Sequence, residues 1–100
     1  MATVNQLTSY MEELRRRKPE LAERYRVKSL GVFGSYVHGE QKKGSDLDLL
    51  VEFYEPPSLL EFVALEHYLT DLLNVKVDLV MRDALKPAIG RHILNELLAI

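Results

Sequence analysis

The chain has no cysteine and no tryptophan, and its 100 residues hold only four prolines and five glycines. Without a thiol there is neither a disulfide framework nor a thiolate zinc site. Nothing then ties the protein to an oxidising compartment, and the cytoplasm is the expected location. No apolar run approaches the ~20 residues that cross a bilayer. The opening MATVNQLTSYMEELRRRK also lacks the basic-then-apolar layout of a signal peptide, so no membrane contact is expected. An excess of positive charge is missing too. Lys and Arg number 13 against 15 Asp and Glu, and the net charge is −2. The pI of about 5.9 is well below that of a typical nucleic-acid-binding stripe. The basic run RRRK at 15–18 is interrupted at helical spacing by Glu12, Glu13, Glu20 and Glu23 and reads as a solvated helix face, so no direct nucleic-acid partner is expected.

What is present fits an ordinary folded domain: 47% hydrophobic and 28% charged residues, with no repeat and no linker composition. A chain of this length supports one core, so residues 1–100 are read as a single domain. Charge is unevenly placed. Residues 1–43 carry nine basic against five acidic side chains, and residues 44–100 carry four against ten.

Hydrophobic spacing divides the chain into seven elements, the first two a consecutive helical pair. Thr3 and Gln6 form a capping-box pattern ahead of Leu7, Tyr10, Met11 and Leu14, predicting a helix over 4–17. Pro19, suited to a first helical position, starts a second short helix over 19–25. VKSLGVFG reads as a first strand, and DLDLLVEFY at 46–54 as a second, ended by Pro56 and Pro57. Ser58 and Glu61 make another capping box before an amphipathic helix over 59–73. VKVDLVM at 75–81 is a third strand, and LKPAIGRHILNELLAI a last helix through Ile89, Ile93, Leu94 and Leu97. In that helix Arg91 and His92 fall on the exposed side. Ile89, Ile93, Leu98 and Ile100 read as core residues, with a partner contact as the alternative. The order α, β, β, α, β, α implies a small α/β (α+β) domain, helices packed on a three-stranded mixed sheet.

The chemistry concentrates in GSYVHGEQKKGSDLD, residues 34–48. Strand alternation puts Asp46 and Asp48 on one face and Leu47, Leu49, Val51 and Phe53 on the other. Asp78 interrupts a third apolar strand, where an unpaired charge is costly to bury. If that strand neighbours the second, three aspartates converge, and their hard oxygens can hold two divalent cations as in phosphoryl or nucleotidyl transfer. Gly34 permits close backbone approach, while Ser35 can cap a short helix beginning at YVHG and offer its hydroxyl to an anion. Each feature alone has a plainer reading. Gly34-Ser35 is then a turn, Asp46 and Asp48 a strand-entry cap with a solvated face, and Asp78 a partner for Lys76 or an arginine. Lys42 and Lys43 read as loop solvation, and His38 as a surface histidine. Those readings do not jointly explain why all three acids and the Gly-Ser pair occur in this order.

Gly34-Ser35, ten residues, then Asp46-Leu47-Asp48 resembles the GS…DxD signature of the polymerase-beta-like nucleotidyltransferases. The fuller string GSYVHGEQKKGSDLDLLVEF is similar to their smallest members, the minimal nucleotidyltransferases, and the likeness extends to VDLV, where Asp78 matches the family's third carboxylate. His38 stands where these proteins commonly carry arginine. The resemblance implies the small nucleotidyltransferase fold, two Mg²⁺ ions and ATP as donor. It further implies a protein adenylyltransferase that moves AMP onto a tyrosine of a HEPN-domain RNase toxin and so serves as its antitoxin. Asp46 and Asp48 would bind both metals, Asp78 would complete the site and assist deprotonation, and Gly34 and Ser35 would hold the triphosphate. Two other functions fit the same residues: a non-catalytic antitoxin that acts by binding, and nucleotidyl transfer to a small-molecule hydroxyl.

Overall fold

The computed structural model describes residues 6–100. Helix α1 spans Gln6–Tyr25, and β1 runs Val27–Phe33 into a one-turn helix, α2, at Ser35–His38. Strand β2 (Leu47–Phe53), helix α3 (Leu59–Leu73) and strand β3 (Val77–Met81) follow; a 3₁₀ turn at Arg82–Ala84 leads to helix α4 (Pro87–Glu96) and a short strand β4, Leu98–Ala99.

Where two helices are expected at 4–17 and 19–25, the chain forms one, with Pro19 inside it. An internal proline removes a helical hydrogen bond and crowds the preceding turn. Packing overrides that cost here, because Leu7, Leu14 and Leu21 recur every seventh residue and are all buried, in phase across Pro19, which is itself exposed. Arg17 also pairs with Glu13 and with Glu20, bridging the proline from outside. The capping box read at the start of this helix involves Thr3, which lies outside the described residues. The second capping box is formed: Glu61 N–H donates to Ser58 Oγ at 3.1 Å, and Ser58 N–H to Glu61 Oε1 at 2.8 Å. Asn74 closes α3 in the left-handed conformation that suits asparagine at such a position.

The sheet has four strands in the order β3-β2-β1-β4, not three. Strands β1 and β2 are antiparallel, β2 and β3 parallel, and β4 pairs antiparallel to β1 through Gly31 with Ala99 and Val32 with Leu98. The last helix therefore stops at Glu96, and Leu98 and Ala99 extend the sheet. Backbone bonding fixes this end: Ile100 N–H donates to Leu30 O at 2.9 Å, and Lys18 Nζ reaches Ile100 O at 3.2 Å.

Alternation along the strands separates the two faces. Leu30 and Val32 of β1, Leu47, Leu49 and Val51 of β2, and Val77 and Leu79 of β3 join leucines of α1 and α3 in one core. Each fully buried leucine there is worth about 1.5–3 kcal/mol. The opposite face carries Gly31, Leu50, Asp48 and Asp78, and Leu97, the residue that follows α4, covers part of it. Gly31 lets that cover approach closely, since a Cβ there would stand 2.7 Å from the Leu97 side chain. Ile93 is buried; Ile100 is half-buried against the core, whereas Ile89 and Leu98 are exposed. Among the described residues no helix is long and apolar enough to cross a membrane.

Candidate active site

Because β1 runs antiparallel to β2 and β2 parallel to β3, the end of β1 and the starts of β2 and β3 lie at one edge of the sheet. Gly34 leaves β1 there and Asp46 and Asp48 enter β2. Asp78 enters β3 in direct register with Asp48. The connection between them is a closed loop: Gly39 and Gly44 take positive φ, and the Ser45 hydroxyl accepts the Lys42 N–H at 2.7 Å. Ser45 thereby fixes the turn that delivers Asp46.

Gly34 is glycine for two reasons. Its φ of +84° is a conformation L side chains rarely adopt, and a Cβ built there would stand 2.1 Å from Asp48 Oδ2. The Gly of the Gly-Ser pair and the second aspartate are thus packed against each other. Helix α2 is capped by Gly34 itself and carries no side-chain cap, so Ser35 is the first helical residue and not the cap expected from sequence.

Asp48 and Asp78 are in side-chain contact. Burial, the Asp78 and Asp46 charges, a hydrogen bond shared with Asp78, and the more distant Glu96 together push the Asp48 carboxyl up to about 6. Asp46 is turned toward a cation instead, with Lys76 Nζ 3.9 Å from its Oδ2. Among the described residues no group of three or more His, Asp or Glu side chains is disposed to hold a metal as it stands. The donor chemistry nevertheless fits Mg²⁺: the oxygens are hard, and carboxylates crowded enough to raise Asp48 lack the positive charge a divalent cation supplies.

One residue of this edge was not legible as a site residue. Glu96, the last residue of α4, accepts the Gly34 N–H on Oε2 at 2.9 Å and lies 2.6 Å from His38 Nε2 through Oε1. The Gly34 N–H and the His38 ring hold its carboxyl below the usual range. Gly34 therefore contributes shape and close approach, with its N–H already bonded. The available signal was that Glu96 is the sole acid after Asp83. Lys42 and Lys43 are exposed and, with Lys76, Gln41, Tyr10 and Ser45, line an open cavity of about 590 Å³.

Residues 14–100 match the family described as nucleotidyltransferase domain. The chain is 53% identical over 83 residues to protein adenylyltransferase MntA of Thermococcus cleftensis, covering 83% of this chain and 84% of that protein. A solved structure described as a candidate minimal nucleotidyltransferase is 35% identical, with a TM-score of 0.74 over 91% of this chain and 95% of that one. A chain from a toxin-antitoxin complex with AMP-PNP shares the fold at 22% identity and a TM-score of 0.67, over 95% of this chain and 69% of its own.

Proposed function

Since the chain belongs to the nucleotidyltransferase domain family and is a nucleotidyltransferase, we propose that it is a Mg²⁺-dependent protein adenylyltransferase. It transfers AMP from ATP to a tyrosine hydroxyl of a HEPN-domain RNase toxin and so acts in the cytoplasm as that toxin's antitoxin, with residues 1–100 working as one domain. Similarity to a relative named protein adenylyltransferase supports the choice of a protein acceptor. The single observation that carries the reading is the register of Asp48 opposite Asp78 with Gly34 packed on the Asp48 carboxylate. It gathers the nucleotide loop and the acids at one edge.

In the transfer, the tyrosine oxygen bonds to the α-phosphorus and the bond from that phosphorus to the oxygen bridging the β-phosphorus breaks. Pyrophosphate leaves, and the acceptor proton passes to a carboxylate. Asp78, the exposed member of the pair, is suited to take that proton from an acceptor arriving from solvent. Asp46 and Asp48, with Asp78, would hold two Mg²⁺ ions, which supply charge neutralisation for the phosphate oxygens. Ser35 offers its hydroxyl to the triphosphate, and Gly34 keeps the backbone out of the way of Asp48.

The test is transfer of label from α-labelled ATP, with Mg²⁺, onto a HEPN-domain protein, taken from the neighbouring gene if that gene specifies one. Label that is lost in the Asp46→Ala, Asp48→Ala double variant is expected. A stable complex without label would leave a fold used for binding alone.

A further inference from the structure

We propose that Glu96 is a positioning residue that clamps the nucleotide loop from the far end of the chain; the proposal rests on the nucleotidyl-transfer reading of that loop. Glu96 is 62 residues from Gly34 and 58 from His38, yet one carboxylate bonds both. Gly34 and His38 are the two ends of the segment that contains Ser35. A single group therefore fixes where this segment starts and where its one-turn helix stops.

The sheet explains how Glu96 comes to be there. Strand β4 pairs Gly31 with Ala99 and Val32 with Leu98. Continued two residues outward, the same antiparallel register sets Gly34 opposite Glu96. The two-residue strand is too short to add much to the sheet, but it places the carboxylate at the loop. Helix α4 holds it from the other side, with Gly90 and Ile93 buried and Leu85 packed against Gly90. The Glu96 side chain is only 13% exposed, and His92 one turn earlier lies 3.9 Å from Oε1.

What the clamp protects is a backbone that does not hold itself. Gly34 sits at φ 84°, ψ −153°, and glycine has the most conformational freedom of any residue. No side chain caps α2, and four residues are too few to be a stable helix alone. Released from Glu96, Gly34 would sample other conformations, and Ser35 would lose the position it takes from Gly34, which packs on Asp48. The expected defect is weaker nucleotide binding, with less effect on the chemical step once nucleotide is bound.

The experiment titrates the full chain with a fluorescent ATP analogue in Mg²⁺, well below the melting temperature, and measures KM for ATP and kcat in the transfer assay. Glu96→Ala should weaken binding about tenfold and raise KM by a similar factor with a smaller change in kcat; Glu96→Gln, which retains an acceptor for the Gly34 N–H, should recover most of the loss. His38→Ala, at an exposed position, removes one half of the clamp and should weaken binding about threefold even if Glu96→Ala fails to fold. Wild-type affinity in both Glu96→Ala and His38→Ala would overturn the proposal. So would tighter binding in either, which would make Glu96 a competitor of the phosphates. If the wild type itself binds no nucleotide, the reading of the loop as a nucleotide site fails, and not merely the role of Glu96.

Discussion

On α1, Glu20 lies between Arg17 at 3.4 Å and Arg24 at 3.0 Å and accepts a hydrogen bond from the Tyr68 hydroxyl, while at the entry of β2 Asp48 faces Asp78 and Asp46. Arg24 and then Tyr68 hold the Glu20 carboxyl below its ordinary value. Burial and neighbouring acids drive Asp48 the other way. Glu20 is neutralised by the chain's own cations and serves the fold. Among the described residues Asp46, Asp48 and Asp78 are offered one cation, Lys76, which lies near Asp46. An arrangement that destabilises the folded chain is retained where a ligand supplies the missing charge.

Removing the acids should have the largest effect. The Asp46→Ala, Asp48→Ala variant is expected to lose transfer by at least about 10³-fold while remaining folded, as checked by circular dichroism and label transfer. Next is Gly34→Ala. Its Cβ would meet Asp48 Oδ2 at 2.1 Å from a φ of +84°. A loss of about 2–4 kcal/mol in denaturant unfolding is expected, with transfer lost as Asp48 is displaced.

The third variant sharpens the contrast. With its folded pKa raised from 3.8 to about 6, Asp48 binds its proton more tightly in the folded than in the unfolded chain. Its contribution to stability is therefore full below about pH 4 and is lost as pH rises through 6. Asp48→Asn should be more stable than wild type by about 1–2 kcal/mol at pH 8, allowing for partial exposure, and the gain should vanish by pH 4. A gain independent of pH would show that charge repulsion is not its source. The smallest effect belongs to α1: Glu20→Gln should lower the melting temperature slightly, and the loss should shrink in high salt as the arginine pairs are screened.

The site was more legible than parts of the fold. Strand alternation alone puts Asp46 and Asp48 on one face, and an acid inside VDLV signals its own cost, so local spacing sufficed for these residues. The parallel register of Asp48 with Asp78 required only that β3 lie beside β2. Local rules failed where distant packing decides. Pro19 argues for a break, but Leu14 and Leu21 bury the same stripe on either side of it. NELLAI continues a helical apolar pattern, yet Leu98 and Ala99 are drawn into the sheet by the free edge of β1. Glu96 went unrecognised for the same reason, since its role depends on β4, and β4 exists only through pairing with Gly31 and Val32.

The most direct test of the contrast between the two acidic regions is thermal unfolding of wild type and Asp48→Asn at pH 8, with and without Mg²⁺ and a non-hydrolysable ATP analogue. Ligand at 100 times its dissociation constant stabilises by about 2.7 kcal/mol. The wild type should rise by that order and overtake Asp48→Asn, which should gain little. An equal rise in both would contradict the claim that Asp48 and Asp78 are held apart from internal cations in order to receive one.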